Sequence, residues 1–252
     1  MTAQRSVPAW AVLASAELIL LRRSALVALT AIAVPIGLGI GMVFLTRNSG
    51  AETDYGTAAA MQLLLLLGCT PYMAGTTALA ARRQHAVLKR WRTSSASNTE
   101  LIIGLLSPYA LLVVVQAVLL FTVTAVVGDD APAQWWPPAV GALGGTLMAG
   151  GLAFATAAFT RTPELAQFTT APVFLALFGG GMWVTMTPPD EVTWAMLAVP
   201  GAAVAQLARA GWNGTAPGQL VDQSWPSIVV LFAMTAMSVA LALRVFRWES
   251  RT

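Results

Sequence analysis

The chain has 252 residues, of which 57% are hydrophobic and only 10% are charged, and its mean hydropathy is +0.70. A soluble domain carries roughly 25% charged residues, so this composition excludes a soluble globular protein and indicates an integral membrane protein. The net charge is +3, but the basic residues stand between long apolar runs rather than in one stripe, which favours a lipid bilayer over nucleic acid as partner. The single cysteine, Cys69, excludes an intrachain disulfide.

The first segment, Pro8–Arg23, is moderately amphipathic, with Trp10 and Leu13 on one side and Glu17 on the other. This pattern predicts an N-terminal interfacial helix on the inner membrane surface; an extension of the first membrane span fits it equally well. The next stretch, Ser24–Leu45, is longer than the apolar core of about 7–15 residues in a signal peptide. It therefore predicts an uncleaved first span.

Six stretches are long and apolar enough to cross the hydrocarbon core, which takes about 20 residues of helix. None of them contains an acidic residue, a basic residue or histidine. Because backbone polar groups in lipid must be satisfied internally, the predicted fold class is all-α integral membrane, with a single transmembrane domain over residues 1–252. The six predicted spans are Ser24–Leu45, Thr57–Ala81, Leu101–Val127, Pro138–Thr160, Leu165–Thr187 and Pro226–Leu243.

Two local motifs predict helix starts. Ser97-Asn98-Thr99-Glu100 has the form of a capping box just before the third apolar run. Thr162-Pro163 places a capping hydroxyl ahead of a proline at the first helical position, which predicts the start of the fifth span.

The basic residues divide unevenly between alternate ends of the spans. With the N-terminus inside, only Arg47 and Arg209 fall outside, and cytoplasmic loops are enriched in Lys and Arg, so both termini are predicted to be cytoplasmic. The twelve inner basic residues are Arg5, Arg22, Arg23, Arg82, Arg83, Lys89, Arg90, Arg92, Arg161, Arg244, Arg247 and Arg251. The tryptophans near the span ends fit interfacial belts, with Trp135, Trp136, Trp194, Trp212 and Trp225 outside and Trp10 and Trp248 inside.

The segment Trp194–Trp212 is apolar enough to suggest a seventh span. Pro200-Gly201 interrupts it and Arg209 lies within it, and a seventh crossing would move the C-terminal arginines outside. We therefore predict a re-entrant or interfacial helix pair on the outer side between spans 5 and 6. Such backbone is tolerated where protein or water covers it.

Several kinds of chemistry are excluded by absent residues. Lys89 is the only lysine and no glycine-rich loop precedes it, so there is no P-loop. His85 is the only histidine, which excludes a two-histidine zinc site within one chain. No predicted span contains a carboxylate, and proton-coupled carriers usually need one. We expect no catalytic, metal or cofactor site, and an energy source on another chain.

The most polar stretch is the loop over residues 82–100. One interpretation is that this basic segment is only attracted to anionic lipid. The more specific interpretation is a helix that docks a partner: apolar side chains at helical spacing fill a groove of the partner, while arginines contact acidic residues at the rim of that groove. The candidate docking residues are Val87, Leu88, Lys89, Arg90, Trp91, Arg92 and Glu100.

Three glutamines, Gln62, Gln116 and Gln167, are the most polar side chains inside the predicted spans. They could line a substrate path or form hydrogen bonds between helices, and we favour the second. The glycine pairs 37/41 and 141/145 have the GxxxG spacing that permits close helix approach. For these we favour packing within one subunit over a dimer interface.

The loop contains the run Leu88-Lys89-Arg90-Trp91-Arg92-Thr93-Ser94, followed by Glu100 and Gly104. This resembles the "LKRLRtsP…E…G" stretch of ABC-2 type transporter permeases, in particular small bacterial drug-resistance permeases of the daunorubicin-exporter type. The residues after the fifth span also resemble that family, in which two short helices re-enter from outside; they are Gly179–Gly181, Pro188-Pro189, Pro200, Arg209 and Gly211. The chain differs from the family pattern at Arg82–Ala86, Ala96 and Leu105, where acidic residues, a proline and a basic residue are usual.

The resemblance implies the permease subunit of an ATP-driven exporter in the inner (plasma) membrane. Two copies, or this chain and a homologue, would sit on a pair of ABC ATPase subunits that bind ATP and Mg, and the loop over residues 82–100 would couple the two. An amphipathic drug, natural product, lipid or peptide would be exported, as in antibiotic resistance. The alternative is a non-transporting membrane anchor or sensor whose basic loop recruits a cytoplasmic partner.

Overall fold

The computed structural model describes residues 9–23, 25–49, 54–84, 98–129, 131–214 and 217–245. These residues form helices and no strand, which confirms the predicted all-α class. Two π-helical segments, Leu29–Ala33 and Gly68–Ala74, and one 3₁₀ turn, Pro189–Glu191, interrupt or join the helices. The α-helices are Ala9–Arg23, Ala25–Ala28, Val34–Asn48, Tyr55–Leu67, Gly75–Gln84, Asn98–Gly128, Trp136–Ala157, Ala166–Met186, Trp194–Leu197, Ala202–Trp212 and Pro217–Val245.

Within the described residues, six helical segments are long and apolar enough to span a membrane, as predicted. We name them spans 1 to 6; they are Leu29–Asn48, Tyr55–Gln84, Ile102–Gly128, Trp136–Ala157, Ala166–Met186 and Leu220–Val245. Consecutive spans are antiparallel, so Arg82, Arg83, Arg161 and Arg244 share one end of the bundle with the N-terminal helix Ala9–Arg23. Which side of the membrane that end faces stays a prediction.

The last helix begins at Pro217, ahead of the predicted span Pro226–Leu243, because that span was predicted from apolar residues and the first turns of the helix are polar. One predicted helix start was wrong. The fifth span begins at Ala166, after a turn in which the Ala166 amide donates to the Pro163 carbonyl over 3.2 Å. The Thr162 hydroxyl bonds the exposed carboxyl of Glu164, whose pKa it lowers, instead of capping the helix.

Span 2 is the centre of the bundle. Its apolar run has no polar face, which is typical of a helix buried on all sides, and spans 1, 3, 4 and 5 pack around it. The core is formed by its fully buried side chains, among them Leu63, Leu64, Leu67 and Tyr72. Span 6 lies outside span 4 and does not take part in this inner ring.

The segment between spans 5 and 6 contains a helix that is buried inside the bundle. The helix Ala202–Trp212, which we call the inner helix, is buried over all its residues among spans 2, 4, 5 and 6. It begins at Gly201, where φ is +90° and a Cβ atom would lie 2.1 Å from the Leu177 carbonyl oxygen, so only glycine fits. Leu177 precedes the end of span 5 by nine residues, which places this turn roughly 14 Å inside the bundle.

The predicted break at Pro200-Gly201 is therefore present at the start of the inner helix, while re-entry of the segment from one side of the membrane stays a prediction. Two expectations about the placement of single residues were wrong. Trp212 is not in an interfacial belt: it is buried against Phe121, with ring centroids 5.5 Å apart. Gly37 and Gly41 have no described atom within 4 Å of an added Cβ, so they do not pack against another described helix of the subunit.

The other glycine pair behaves as expected. Gly141 faces Leu207 of the inner helix, and Gly145 faces both Leu67 of span 2 and Val204 of the inner helix. Their missing side chains let span 4 approach two helices at once.

Candidate functional site

A groove of about 320 Å³ lies between spans 1 and 5 and reaches span 2 as its floor. Span 1 packs mainly on spans 2 and 3, and span 5 packs mainly on span 2 and the inner helix, so the ring around span 2 is open here. The groove carries no charged side chain. It is lined by Thr30, Val34, Leu38, Leu65, Cys69, Met73, Gln167, Ala171, Phe174 and Leu175.

Gln167 is the most polar side chain of this groove. It lies near the start of span 5 and is exposed. Its backbone carbonyl accepts a hydrogen bond from the Thr170 hydroxyl over 3.4 Å, but its amide makes no hydrogen bond with any described residue. A free amide on an apolar wall can orient an amphipathic ligand by one or two hydrogen bonds.

Gln116 of span 3 is placed differently, between helices. Its amide nitrogen donates to the carbonyl of Ala31 over 2.8 Å, and the Thr70 hydroxyl lies 2.9 Å from the same carbonyl and 3.1 Å from the Gln116 amide oxygen. Pro35, four residues after Ala31, has no N–H to give that carbonyl. Gln116 and Thr70 therefore satisfy a backbone acceptor that the proline leaves open, and they join spans 1, 2 and 3.

Gln62 forms a second junction of the same three spans, nearer their other end. Its amide nitrogen donates to the Gly39 carbonyl and to the Thr124 hydroxyl, each over 3.0 Å. Both Gln62 and Thr124 are buried. Of the three glutamines, the structure thus places Gln62 and Gln116 between helices and only Gln167 on the groove.

Both π-helical segments lie at the junction formed by Gln116, Thr70 and Ala31. Leu29–Ala33 of span 1 packs directly on Gly68–Ala74 of span 2, and Thr30 and Cys69 from these segments also line the groove. Each segment has a proline close by, Pro35 in span 1 and Pro71 in span 2. Such bulges recur at functional sites because they interrupt the regular backbone hydrogen bonds.

At the opposite side of span 3, the N-terminal helix packs along the start of that span. A Cβ added at Gly104 would lie 2.8 Å from the Leu13 Cβ and 3.1 Å from the Trp10 carbonyl oxygen. Gly104 therefore lets the two helices touch. This segment is helical over Ala9–Arg23. Its connection to the first span passes through a residue outside the described ones, so the choice between an interfacial helix and an extension of that span stays a prediction.

Glu17 of the N-terminal helix forms an ion pair with Arg82 near the end of span 2. The side chain of Glu17 is 2% exposed and that of Arg82 is 8% exposed. Burial raises the pKa of the Glu17 carboxyl, and the guanidinium of Arg82 opposes this increase. A buried pair fixes relative position because neither charge can leave without its partner.

Arg83, the next residue, donates to the carbonyl of Ala157 at the end of span 4. The two arginines thus connect the end of span 2 to the N-terminal helix and to span 4. The predicted docking residues Val87, Leu88, Lys89, Arg90, Trp91 and Arg92 lie outside the described residues. Glu100 is described, in the first turn of the helix that begins at Asn98. The segments on both sides of the loop therefore contact the N-terminal helix.

Arg209 marks a polar site that sequence reasoning did not include among the candidate residues. It is buried in the inner helix, donates to the carbonyls of Thr185 and Thr187 over 3.2 and 2.8 Å, and donates to the Gln206 amide oxygen over 2.7 Å. It thereby caps the carboxyl end of span 5. The sequence feature that could have indicated this site is a lone arginine within an apolar segment.

Among the described residues, no cluster of three His, Cys, Asp or Glu side chains could hold a metal ion. Gln62, Gln116 and Arg209 instead hydrogen-bond between helices, and the groove between spans 1, 2 and 5 has the apolar wall typical of a ligand path.

The chain matches the family model described as ABC-2 family transporter protein over residues 24–244. The chain belongs to this family. The match covers all six spans and the inner helix and begins just after the N-terminal helix. No curated protein matches the chain significantly.

Membership of the ABC-2 family makes this chain a multi-pass membrane protein and the permease subunit of an ABC transporter, which works with an ABC ATPase. Family membership confirms the predicted resemblance at this level. The daunorubicin-exporter subgroup, the exported substrate and the residues that dock the ATPase stay predictions.

Proposed function

We propose that this ABC-2 permease forms half of the translocation path of an ATP-driven exporter, and that the groove between spans 1, 2 and 5 is its part of the wall. The observation that carries the proposal is the opening in the ring around span 2. Here the buried central span is reached from the side through a groove that contains one free amide, Gln167, and no charge. Such a surface suits an amphipathic drug, natural product, lipid or peptide.

A second copy, or a homologous permease, would close this open side. The glycines 37 and 41 of span 1 and Gly179 of span 5 flank the groove, and none of them has a described atom within 4 Å of an added Cβ. Small residues on an open helix face permit close approach of another helix in lipid. In this arrangement two half-grooves would enclose one path.

The ATPase would bind at the end of the bundle that carries the N-terminal helix. We propose that Val87, Leu88, Lys89, Arg90, Trp91 and Arg92 dock it, that Glu100 stabilises the start of span 3 after the loop, and that ATP and Mg are held by the ATPase. The ion pair of Glu17 with Arg82 supports this role because it makes the loop and the N-terminal helix move together.

This assignment places the docking end, and with it both termini, in the cytoplasm of a cell whose plasma membrane contains the permease. The inner helix would then re-enter from the outer side. Its burial among four spans and the capping of span 5 by Arg209 would make it a packing support for the outer half of the bundle, behind the wall of the path.

The test is ATP-driven export by proteoliposomes that contain the permease and its ATPase. The substrate panel contains daunorubicin, an amphipathic fluorescent dye and a fluorescent phospholipid. Ala171, exposed on the groove, is replaced by tryptophan, and the matched control is Val118→Trp on the exposed face of span 3. We expect Ala171→Trp to abolish export while assembly with the ATPase persists, and Val118→Trp to retain export.

If Ala171→Trp exports every transported substrate as fast as the wild type does, the groove is not the path. If the wild-type complex binds and hydrolyses ATP but moves no member of the panel, the exporter proposal fails and the chain is better described as an anchor that recruits its ATPase.

A further inference from the structure

A second groove lies on a different side of the bundle, apart from the proposed translocation path. Its volume is about 370 Å³, and its walls come from the start of span 3, the second half of span 4 and the last turns of span 6. It shares no lining residue with the groove between spans 1, 2 and 5.

The lining of the second groove is almost entirely apolar. Ser107 and Thr146 are its only hydroxyl-bearing residues, and no lining residue is charged. The Thr146 hydroxyl already donates to the Ala142 carbonyl over 2.6 Å. The Ser107 hydroxyl is buried without a hydrogen-bond partner among the described residues. The remaining wall consists of aliphatic side chains, one phenylalanine and one glycine, so the groove offers an apolar chain almost nothing but apolar contacts.

The groove runs along the bundle axis at the end that carries the N-terminal helix. Between Ile102 and Ala110 it follows span 3 for roughly 12 Å, and on span 6 it ends at Leu243. Arg244 follows Leu243 directly and is exposed. Glu100, two residues before Ile102, takes part in another interaction. The groove therefore has an apolar interior, and an exposed cation lies one residue beyond its last lining residue on span 6.

We propose that this groove binds one acyl chain of an anionic phospholipid of the inner leaflet, with the phosphate group directed towards Arg244. Anionic lipids concentrate at the cytoplasmic surface and are attracted by basic residues near span ends. The inference uses the predicted orientation of the bundle but not the path for the exported substrate. It goes beyond export because it assigns a resident lipid to the permease itself.

A bound lipid is favoured over a second copy at this place by the shape of the neighbouring surface. The exposed residues beside the groove are large and branched, such as Leu111 and Leu143, whereas the open glycines that permit helix approach lie on spans 1 and 5. A flexible chain can enter between bulky side chains, but a rigid helix needs small residues to come close.

The experiment uses the permease–ATPase complex in nanodiscs of equal parts phosphatidylethanolamine and phosphatidylglycerol. A trace of phosphatidylglycerol carries a photoactivatable diazirine in the middle of one acyl chain. After irradiation, cross-linked peptides are identified by mass spectrometry. We expect cross-links to concentrate on residues 102–110 and 239–243. Labelling in proportion to exposure on every span would overturn the proposal.

Two variants make the test specific. Val239, which lines the groove and is 42% exposed, is replaced by tryptophan, and the matched control is Leu241→Trp, which is 45% exposed and does not line it. We expect Val239→Trp to remove the cross-links on residues 102–110 and Leu241→Trp to retain them. Because both positions are exposed, neither change should prevent folding, and size-exclusion chromatography verifies this. Equal labelling in both variants would contradict the proposal.

The head group is tested with the same diazirine chain on phosphatidylethanolamine. The wild-type permease should prefer labelled phosphatidylglycerol, and Arg244→Gln should lose that preference, while Arg161→Gln should keep it. A second copy as occupant is tested with Leu147→Cys in a Cys69→Ser background. An oxidised dimer through the cysteine at position 147 would show that protein covers the groove, and the proposal would fail. None of these readouts requires ATP or transport.

Discussion

The buried pair of Glu17 and Arg82 makes a quantitative prediction for the variant Arg82→Gln. This change leaves the Glu17 carboxyl buried, 2% exposed, without its cation. The carboxyl can avoid carrying an uncompensated charge by binding a proton. The free energy of this protonation is therefore the upper limit of the stability that the variant loses. With an ordinary pKa of 4.5 and 1.36 kcal/mol per pH unit, that cost is about 3.4 kcal/mol at pH 7. It lies within the range of about 3–5 kcal/mol for the loss of one partner of a buried pair.

The assay is thermal unfolding of the purified permease in detergent, at several pH values. One kcal/mol shifts Tm by about 2–4 °C for a chain of this size, so we expect Arg82→Gln to unfold roughly 7–14 °C below the wild type at pH 7. Because burial raises the pKa of Glu17 in the folded state, the folded variant binds a proton that the unfolded chain releases above pH 4.5. Its deficit should therefore grow as the pH rises from 4.5 to 7, and it should shrink by about 1.4 kcal/mol for each unit of acidification.

Two controls separate the buried charge from a general loss of packing. The double variant Glu17→Gln/Arg82→Gln removes both charges and should recover most of the lost stability, since neutral replacements of a buried pair are often tolerated. Arg161→Gln changes an exposed arginine at the same end of the bundle and should leave Tm unchanged. A deficit in Arg82→Gln that is equal at pH 5 and pH 7, or a double variant as unstable as the single one, would refute the reasoning.

Two further changes test the contacts that shape the bundle. Gln116→Leu removes one donor from the Ala31 carbonyl. Hydrogen bonds between membrane helices contribute about 0.6 kcal/mol on average and about 1.7 kcal/mol at most, so Tm should fall by roughly 1–7 °C. Gln167→Leu should leave Tm unchanged, and equal losses in the two variants would contradict the placement of the two glutamines. Gly201→Ala places a Cβ 2.1 Å from the Leu177 carbonyl oxygen at a positive φ, so it should abolish folded protein in size-exclusion chromatography. Gly179→Ala, where no described atom lies within 4 Å, should fold like the wild type, and a well-folded Gly201→Ala protein would disprove the buried turn.

The sequence by itself determined the number of spans and the main break between them. Six uncharged apolar runs can be recognised from consecutive residues alone, because the thickness of the bilayer sets a minimum length for each membrane-spanning run. The break at Pro200-Gly201 was predictable for a local reason as well, since a proline followed by a glycine at positive φ interrupts a helix wherever it lies. The membrane class and the family resemblance followed from the same local patterns.

Only the tertiary structure decided which polar and small residues meet. In lipid-facing helices the apolar pattern has no clear face, so sequence periodicity does not show the side that packs. Gln116 and Gln167 look alike in the sequence, yet one joins three spans and the other lies on a groove. The same holds for the two glycine pairs, of which only Gly141 and Gly145 pack against another helix among the described residues.

The contact between the N-terminal helix and span 2 could not be predicted, because the two residues that form it are far apart in the sequence. From the sequence, Glu17 was assigned to the polar face of an interfacial helix, and Arg82 was counted among the inner basic residues. Their pairing joins positions 65 residues apart, and it depends on how the N-terminal helix lies against spans 2 and 3. Charge and hydropathy along the chain fix what each segment can be, whereas contacts between segments depend on packing that no single segment encodes.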